Sequence, residues 1–127
     1  MKNIIFIVNI GGDDDRNKPY HFSIKCWKKW ADKNNAEVFV LTEKVYESDY
    51  MHLNWHKSLA LKLLKENNIK YDQVLIVDAD TIVHPDCPNF FEETEGKLCG
   101  VVNEGCYEWV TRSIQNYGDY IFPEIPK

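Results

Sequence analysis

Apolar residues in this chain fall into short blocks separated by polar, glycine- or amide-rich breaks. Residues 3–10 (NIIFIVNI) form a nearly continuous apolar run that stops at Gly11-Gly12, which predicts a buried strand followed by a loop. Pro19 suits the first turn of a helix. Tyr20, Ile24, Trp27 and Ala31 then recur at +4, +3 and +4, one apolar stripe of helical period. Asn34 and Asn35 terminate it. Ala36 to Leu41 (AEVFVL) reads as a second strand ending at Thr42-Glu43, and residues 44–53 mix aromatic and acidic side chains without a period. Asn54 is placed to cap a helix running to about Asn67, with Leu59, Ala60, Leu63 and Leu64 as its buried face. Tyr71 to Val83 (YDQVLIVDADTIV) contains a third strand with an apolar centre that does not alternate, a pattern expected of a strand covered on both faces in a parallel sheet. A short helix is expected within Pro85 to Glu93 and a further short strand over Leu98 to Val102; the tail from Cys106 predicts no element.

Strand, helix, strand, helix, strand is the signature of an α/β domain with a mostly parallel sheet and flanking helices. A chain of 127 residues is the length of one domain. In such sheets ligands bind at the carboxyl ends of the strands, so the chemistry-bearing residues at those ends carry the functional argument.

Composition narrows the function classes. Hydrophobic residues make up 44% and charged residues 28%, which excludes a disordered or collagen-like chain. The apolar run Ile4 to Val8 is too short to span a bilayer, and no small-residue cleavage site follows it, so it reads as a strand rather than a signal peptide. A net charge of −5 argues against nonspecific nucleic-acid binding. Lys25, Lys28, Lys29 and Lys33 fit the solvated face of a helix. Cys26, Cys87, Cys99 and Cys106 contain no C-x-x-C pair, which disfavours zinc and suggests reduced thiols in a cytoplasmic protein.

The informative segment is Val74-Leu75-Ile76-Val77-Asp78-Ala79-Asp80-Thr81-Ile82-Val83. Two carboxylates appear as a buried strand runs out, where they escape the desolvation cost of its interior. Residues i and i+2 of an extended chain share a side, so Asp78 and Asp80 are expected to converge. Two close carboxylates repel unless a cation lies between them; a hard divalent ion, Mg²⁺ or Mn²⁺, fits and leaves coordination positions for phosphate oxygens. The start of the 54–67 helix should lie at the same edge. Lys57 falls in its first turn, where free N–H groups also favour anions. The ends of the first two strands bring Asn9 to Asp15, including Gly11 and Asp13, and Thr42-Glu43 to that edge. His52 and His56 are spaced as a helical pair but lack the glutamate of the zincin motif. G-x-S-x-G, P-loop and G-x-G-x-x-G signatures are absent from the sequence.

The segment Tyr71-Asp72-Gln73-Val74-Leu75-Ile76-Val77-Asp78-Ala79-Asp80-Thr81-Ile82-Val83-His84-Pro85-Asp86 resembles the D-x-D segment of GT-A-fold glycosyltransferases, most nearly the family 8 type. The upstream helix with Lys57, and the first strand with its loop, resemble the corresponding parts of that fold, so the likeness covers about residues 3–104. It implies a Rossmann-like GT-A fold and transfer of a sugar from a nucleotide-diphosphate sugar, a UDP-sugar being favoured, to an unknown acceptor. It also implies Mn²⁺ or Mg²⁺ on Asp78 and Asp80. A nucleotide-sugar site would be formed by Asn9, Gly11, Asp13, Glu43, Lys57, Asp78, Ala79 and Asp80. The half of the fold that binds the acceptor, with its downstream D-x-H and G-x-x-G-x-x-K segments, has no counterpart here. A longer protein, a partner chain or a second copy is expected to supply it.

Two other readings remain open. In a haloacid-dehalogenase-type phosphatase the motif is D-x-D-x-T, but here Thr81 stands one residue too early. A non-catalytic nucleotide-sugar-binding module would retain the donor residues without turnover.

Overall fold

The computed structural model describes residues 2–12, 14–101, 106–108, 111–112 and 115. The chain divides into two compact units, residues 1–97 and 98–127. The first unit holds three parallel strands, β1 (Lys2–Val8), β2 (Ala36–Leu41) and β3 (Tyr71–Asp78), in the order β2-β1-β3. Helix α1 (Tyr20–Lys33) connects β1 to β2. A 3-10 helix (Leu53–Leu59) running into α2 (Ala60–Glu66) connects β2 to β3, and the short α3 (Phe90–Glu93) follows. This is the expected α/β architecture, with a parallel sheet and flanking helices.

The period of two along each strand sorts the side chains into two cores. Ile5 and Ile7 of β1, Val38 and Val40 of β2, and Leu75 and Val77 of β3 face α1, where Ile24, Trp27, Trp30 and Ala31 meet them. Ile4 and Phe6, with Phe39, Leu41 and Val74, face α2 and its Ala60, Leu63 and Leu64. Phe6 stacks on Phe39 with ring centroids 5.3 Å apart. β1 is therefore the strand covered on both faces. β3 lies at one edge of the sheet, and its Ile76 is 44% exposed. An apolar run without alternation marks burial on two faces only where neighbours exist on both sides. For β3 the expected double coverage gives way to its edge position.

Helix α1 ends as expected. Asn34 is its C-cap, and Asn35 adopts a left-handed φ of 51°. The second helix differs from expectation. His52, not Asn54, is the N-cap, its Nδ1 accepting from the Asn54 N–H at 3.3 Å, and the first seven residues are 3-10. In a 3-10 helix residues three apart eclipse. Leu53, His56 and Leu59 have that spacing and form the inward line, with His56 fully buried. The short helix expected within Pro85 to Glu93 forms only over Phe90–Glu93, where the Asn89 side chain accepts from the Phe91 N–H.

In the second unit, Leu98–Val101 carry no strand, and Val102 lies outside the described residues. Leu98 and Val101 are fully exposed; a strand requires a ladder partner that local sequence does not supply. Tyr107, Glu108, Thr111, Arg112 and Gln115 are helical, with Arg112 paired to Glu108 at 2.9 Å. Among the described residues no helix is long and apolar enough to cross a membrane. The four cysteines are free thiols.

Trp30 is the more deeply buried of the two tryptophans in the α1 core. It is 1% exposed and stacks on Phe90 at 5.0 Å, and its indole N–H donates to the Cys87 carbonyl at 3.2 Å. Trp30→Ala is expected to cost about 3–5 kcal/mol of stability, read from urea unfolding followed by circular dichroism. An unchanged midpoint would show that α1 is not anchored there.

Candidate functional site

The three strands end level with one another. Val8 is in register with Leu41 on one side and with Asp78 on the other. Beyond that line lies a cavity of about 620 Å³, a volume typical of small-molecule sites. Four segments wall it: the loop after β1 up to the first residue of α1, the loop after β2 at Lys44, the start of the 3-10 helix, and the turn after β3.

The turn after β3 is built from the motif. The Thr81 N–H and hydroxyl both donate to the Asp78 carbonyl, at 3.1 and 2.6 Å, so the chain turns over 78–81. The expectation that an extended backbone aligns Asp78 with Asp80 therefore does not hold. The turn brings both to the cavity by another route and places Ala79, 7% exposed, in the core. Helix α1 tethers this turn. The Ser23 hydroxyl and the Trp27 indole N–H both donate to the Thr81 carbonyl, the latter at 3.0 Å. Trp30 reaches Cys87, and the Lys33 ammonium donates to the Pro85 carbonyl at 2.9 Å. Of these donors only Trp27 belongs to the apolar stripe read from the sequence; Ser23, Trp30 and Lys33 stand beside it and hold the post-β3 segment.

Strand parity directs Asp78 to the side of the sheet that carries the 3-10 helix. There the Lys57 ammonium meets its Oδ1 at 2.8 Å. Asn54 and Lys57, three apart and therefore eclipsed, both line the cavity. The 3-10 helix does not offer its first N–H groups to an anion as expected, because His52 takes them: its ring accepts from Asn54 and its carbonyl from Trp55. His56 is used internally. Its Nε2 accepts from the Tyr46 N–H and its Nδ1 faces the His52 carbonyl, each at 3.4 Å. This pins the 44–52 loop to the helix. The same loop is held from α2, where the Lys62 ammonium donates to the Tyr46 hydroxyl at 2.9 Å. That hydroxyl, with a smaller contribution from Glu66, raises the Lys62 pKa.

In the loop after β1, Gly11 adopts a φ of +75°, a conformation that glycine enters without strain. A Cβ on Gly12 would come within 2.8 Å of Asn9 Nδ2, so a small residue is required there too. The Asn17 side chain donates to the carbonyls of Ile10 and Gly11 at 3.1 and 2.9 Å, and His21 Nε2 lies 3.0 Å from the Gly12 carbonyl. Asn9 itself is 4% exposed, and its Oδ1 has no hydrogen-bond partner among the described residues. A buried acceptor left unpaired costs about 1–3 kcal/mol. Asn9 lines both the main cavity and an adjoining one of about 290 Å³, while the unpaired oxygen itself is turned away from solvent.

Of the residues expected at the site, Asn9, Gly11, Lys57, Asp78, Ala79 and Asp80 line the main cavity. Glu43 lines neither cavity. One residue further along, Lys44 lines the main one, because the chain leaves the strand geometry at Thr42. Asp13 lies outside the described residues; its neighbour Asp14 lines both cavities. Sequence reasoning missed Arg16, Lys44 and His52. The signal that could have found them is their place in the loops after β1 and β2, at the carboxyl edge of a parallel sheet. The cavity wall thus carries three cations, Arg16, Lys44 and Lys57, and three carboxylates, Asp14, Asp78 and Asp80.

Among the described residues no three His, Cys, Asp or Glu side chains converge as a preformed metal cage. Asp78 and Asp80 supply oxygen donors only, which suits Mg²⁺ or Mn²⁺. Mg²⁺ is commonly bound by one or two carboxylates completed by phosphate oxygens and water. The pair therefore fits a divalent cation that arrives with a phosphate ligand and does not fit a site that holds metal by protein ligands alone.

Comparison of the chain with protein-family models, with curated proteins and with solved structures gives no match.

Asn9→Leu removes the orphaned acceptor with little change of shape. It is expected to leave the thermal midpoint unchanged or raised, as measured by calorimetry. A clear fall in midpoint would mean that Asn9 has a structural partner.

Proposed function

We propose that this chain binds a nucleotide-diphosphate sugar, with a UDP-sugar favoured, and forms the donor site of a metal-dependent glycosyltransferase of GT-A type. The observation that carries the reading is the Lys57–Asp78 pair at 2.8 Å, set with Asp80 around one cavity at the carboxyl edge of a parallel sheet. The D-x-D resemblance adds to it.

Each lining group has a task in this reading. Arg16, Lys44 and Lys57 surround the diphosphate and offset the charge left on it when the bond to the sugar breaks. Asp78 and Asp80 would hold the divalent cation, which when bound supplies Lewis-acid stabilisation of the departing diphosphate. The tethers from Ser23 and Trp27 to Thr81 hold the turn that carries both aspartates, so their positions are set before ligand arrives.

Calorimetric titration of the chain with UDP, UDP-glucose and UDP-galactose, with Mn²⁺ and again with EDTA, tests this. Binding is expected with Mn²⁺ and is expected to fall at least about tenfold in Asp80→Ala, the loss of one charge-assisted contact. Binding that ignores both EDTA and Asp80→Ala would overturn the site. Metal-dependent binding with no release of sugar to any acceptor or to water would identify a non-catalytic binding module instead.

A further inference from the structure

The carboxylate that would bind metal already has a cation. Lys57 Nζ sits 2.8 Å from Asp78 Oδ1, whereas Asp80, Arg16 and Lys44 have no ion pair among the described residues. The pair is open to water, with Lys57 45% and Asp78 58% exposed. Exposed pairs of this kind shift an equilibrium by only about fivefold or less, so this one exchanges readily. Both partners line the main cavity, as do Arg16 and Lys44. A phosphate entering the cavity therefore meets a lysine able to turn from Asp78 toward it.

We propose that Lys57 is an exchangeable counter-ion that makes metal binding conditional on the diphosphate. This rests on the functional reading above and assigns the site its loading order. In the free site Lys57 neutralises Asp78 and repels a second cation. With only two carboxylates and no third protein ligand converging among the described residues, metal alone is held weakly. When the diphosphate arrives, Lys57 exchanges Asp78 for a phosphate oxygen and Asp78 becomes free to bind metal. Metal and nucleotide then bind with positive coupling, and by linkage each raises the affinity of the other by the same factor. No bond is made or broken; one ion pair replaces another.

Removing a fixed charge beside the cavity would by itself favour a cation and disfavour an anion, so the mark of exchange is the coupling: in Lys57→Met the factor by which Mn²⁺ raises UDP affinity, read against EDTA, falls below that of wild type. Lys57→Met keeps an unbranched stem and removes the charge. The test titrates the chain with Mn²⁺ alone, following free Mn²⁺ by electron paramagnetic resonance, and then with UDP at saturating Mn²⁺. The expected result is a rise of about two- to fivefold in Mn²⁺ affinity without nucleotide, together with a fall of about tenfold in UDP affinity, as one charged contact is gained or lost. Lys57→Arg should restore both toward wild type. Should Lys57→Met leave Mn²⁺ affinity unchanged or lower it, while Asp80→Ala still abolishes Mn²⁺-dependent UDP binding, the exchange is wrong and the donor site stands. Should wild type bind UDP no better with Mn²⁺ than with EDTA, the donor-site reading falls and the exchange falls with it.

Discussion

The hydrogen bonds that β1 makes on both of its edges set the level at which three chain segments stop. Val8 pairs with Leu41 and with Asp78, so the loop after β1, the loop after β2 and the D-x-D turn emerge at one rim. Parallel pairing requires each return connection to run back along the sheet, which brings the start of the 3-10 helix to the same rim. A slip of one residue in β3 would turn Asp78 to the α1 side, away from Lys57. Two buried faces on β1, with Ile5, Phe6 and Ile7 fully excluded from water, resist such a slip.

Above that rim the structure relies on polar tethers rather than apolar packing. The turn after β3 holds its shape through Thr81 and its position through Ser23 and Trp27. The 44–52 loop is fixed by buried His56 and by Lys62 acting on Tyr46. Asn9 is the exception, a buried side chain whose acceptor is unpaired. Unpaired buried groups are uncommon because they cost stability. These tethers hold the walls of the cavity in place around the Lys57–Asp78 ion pair.

Local pattern made much of the fold legible. The bounds of β2, the stripe of α1 and its asparagine terminators follow from period and turn chemistry acting over a few residues. The pairing of Asp78 with Lys57 was within reach of sequence because topology alone puts a crossover helix start beside a strand end. The geometry behind it was not. Extended-chain parity does not relate Asp78 to Asp80, since Thr81 closes a turn back onto the Asp78 carbonyl. The edge position of β3, the 3-10 winding of Leu53–Leu59 and the replacement of Glu43 by Lys44 at the cavity each depend on contacts between distant segments.

By itself, then, the sequence determined the three strands and the helix between the first two, that the sheet is parallel, and which carboxylates stand at its carboxyl edge. These follow from side-chain period and from the desolvation cost that drives charge to strand ends. Tertiary structure alone decided which strand is buried twice, which cations share the cavity with Asp78 and Asp80, and that the Asn9 oxygen is left without a partner. Those outcomes depend on register and on side chains tens of residues apart coming within hydrogen-bonding distance, a relation that no local pattern encodes.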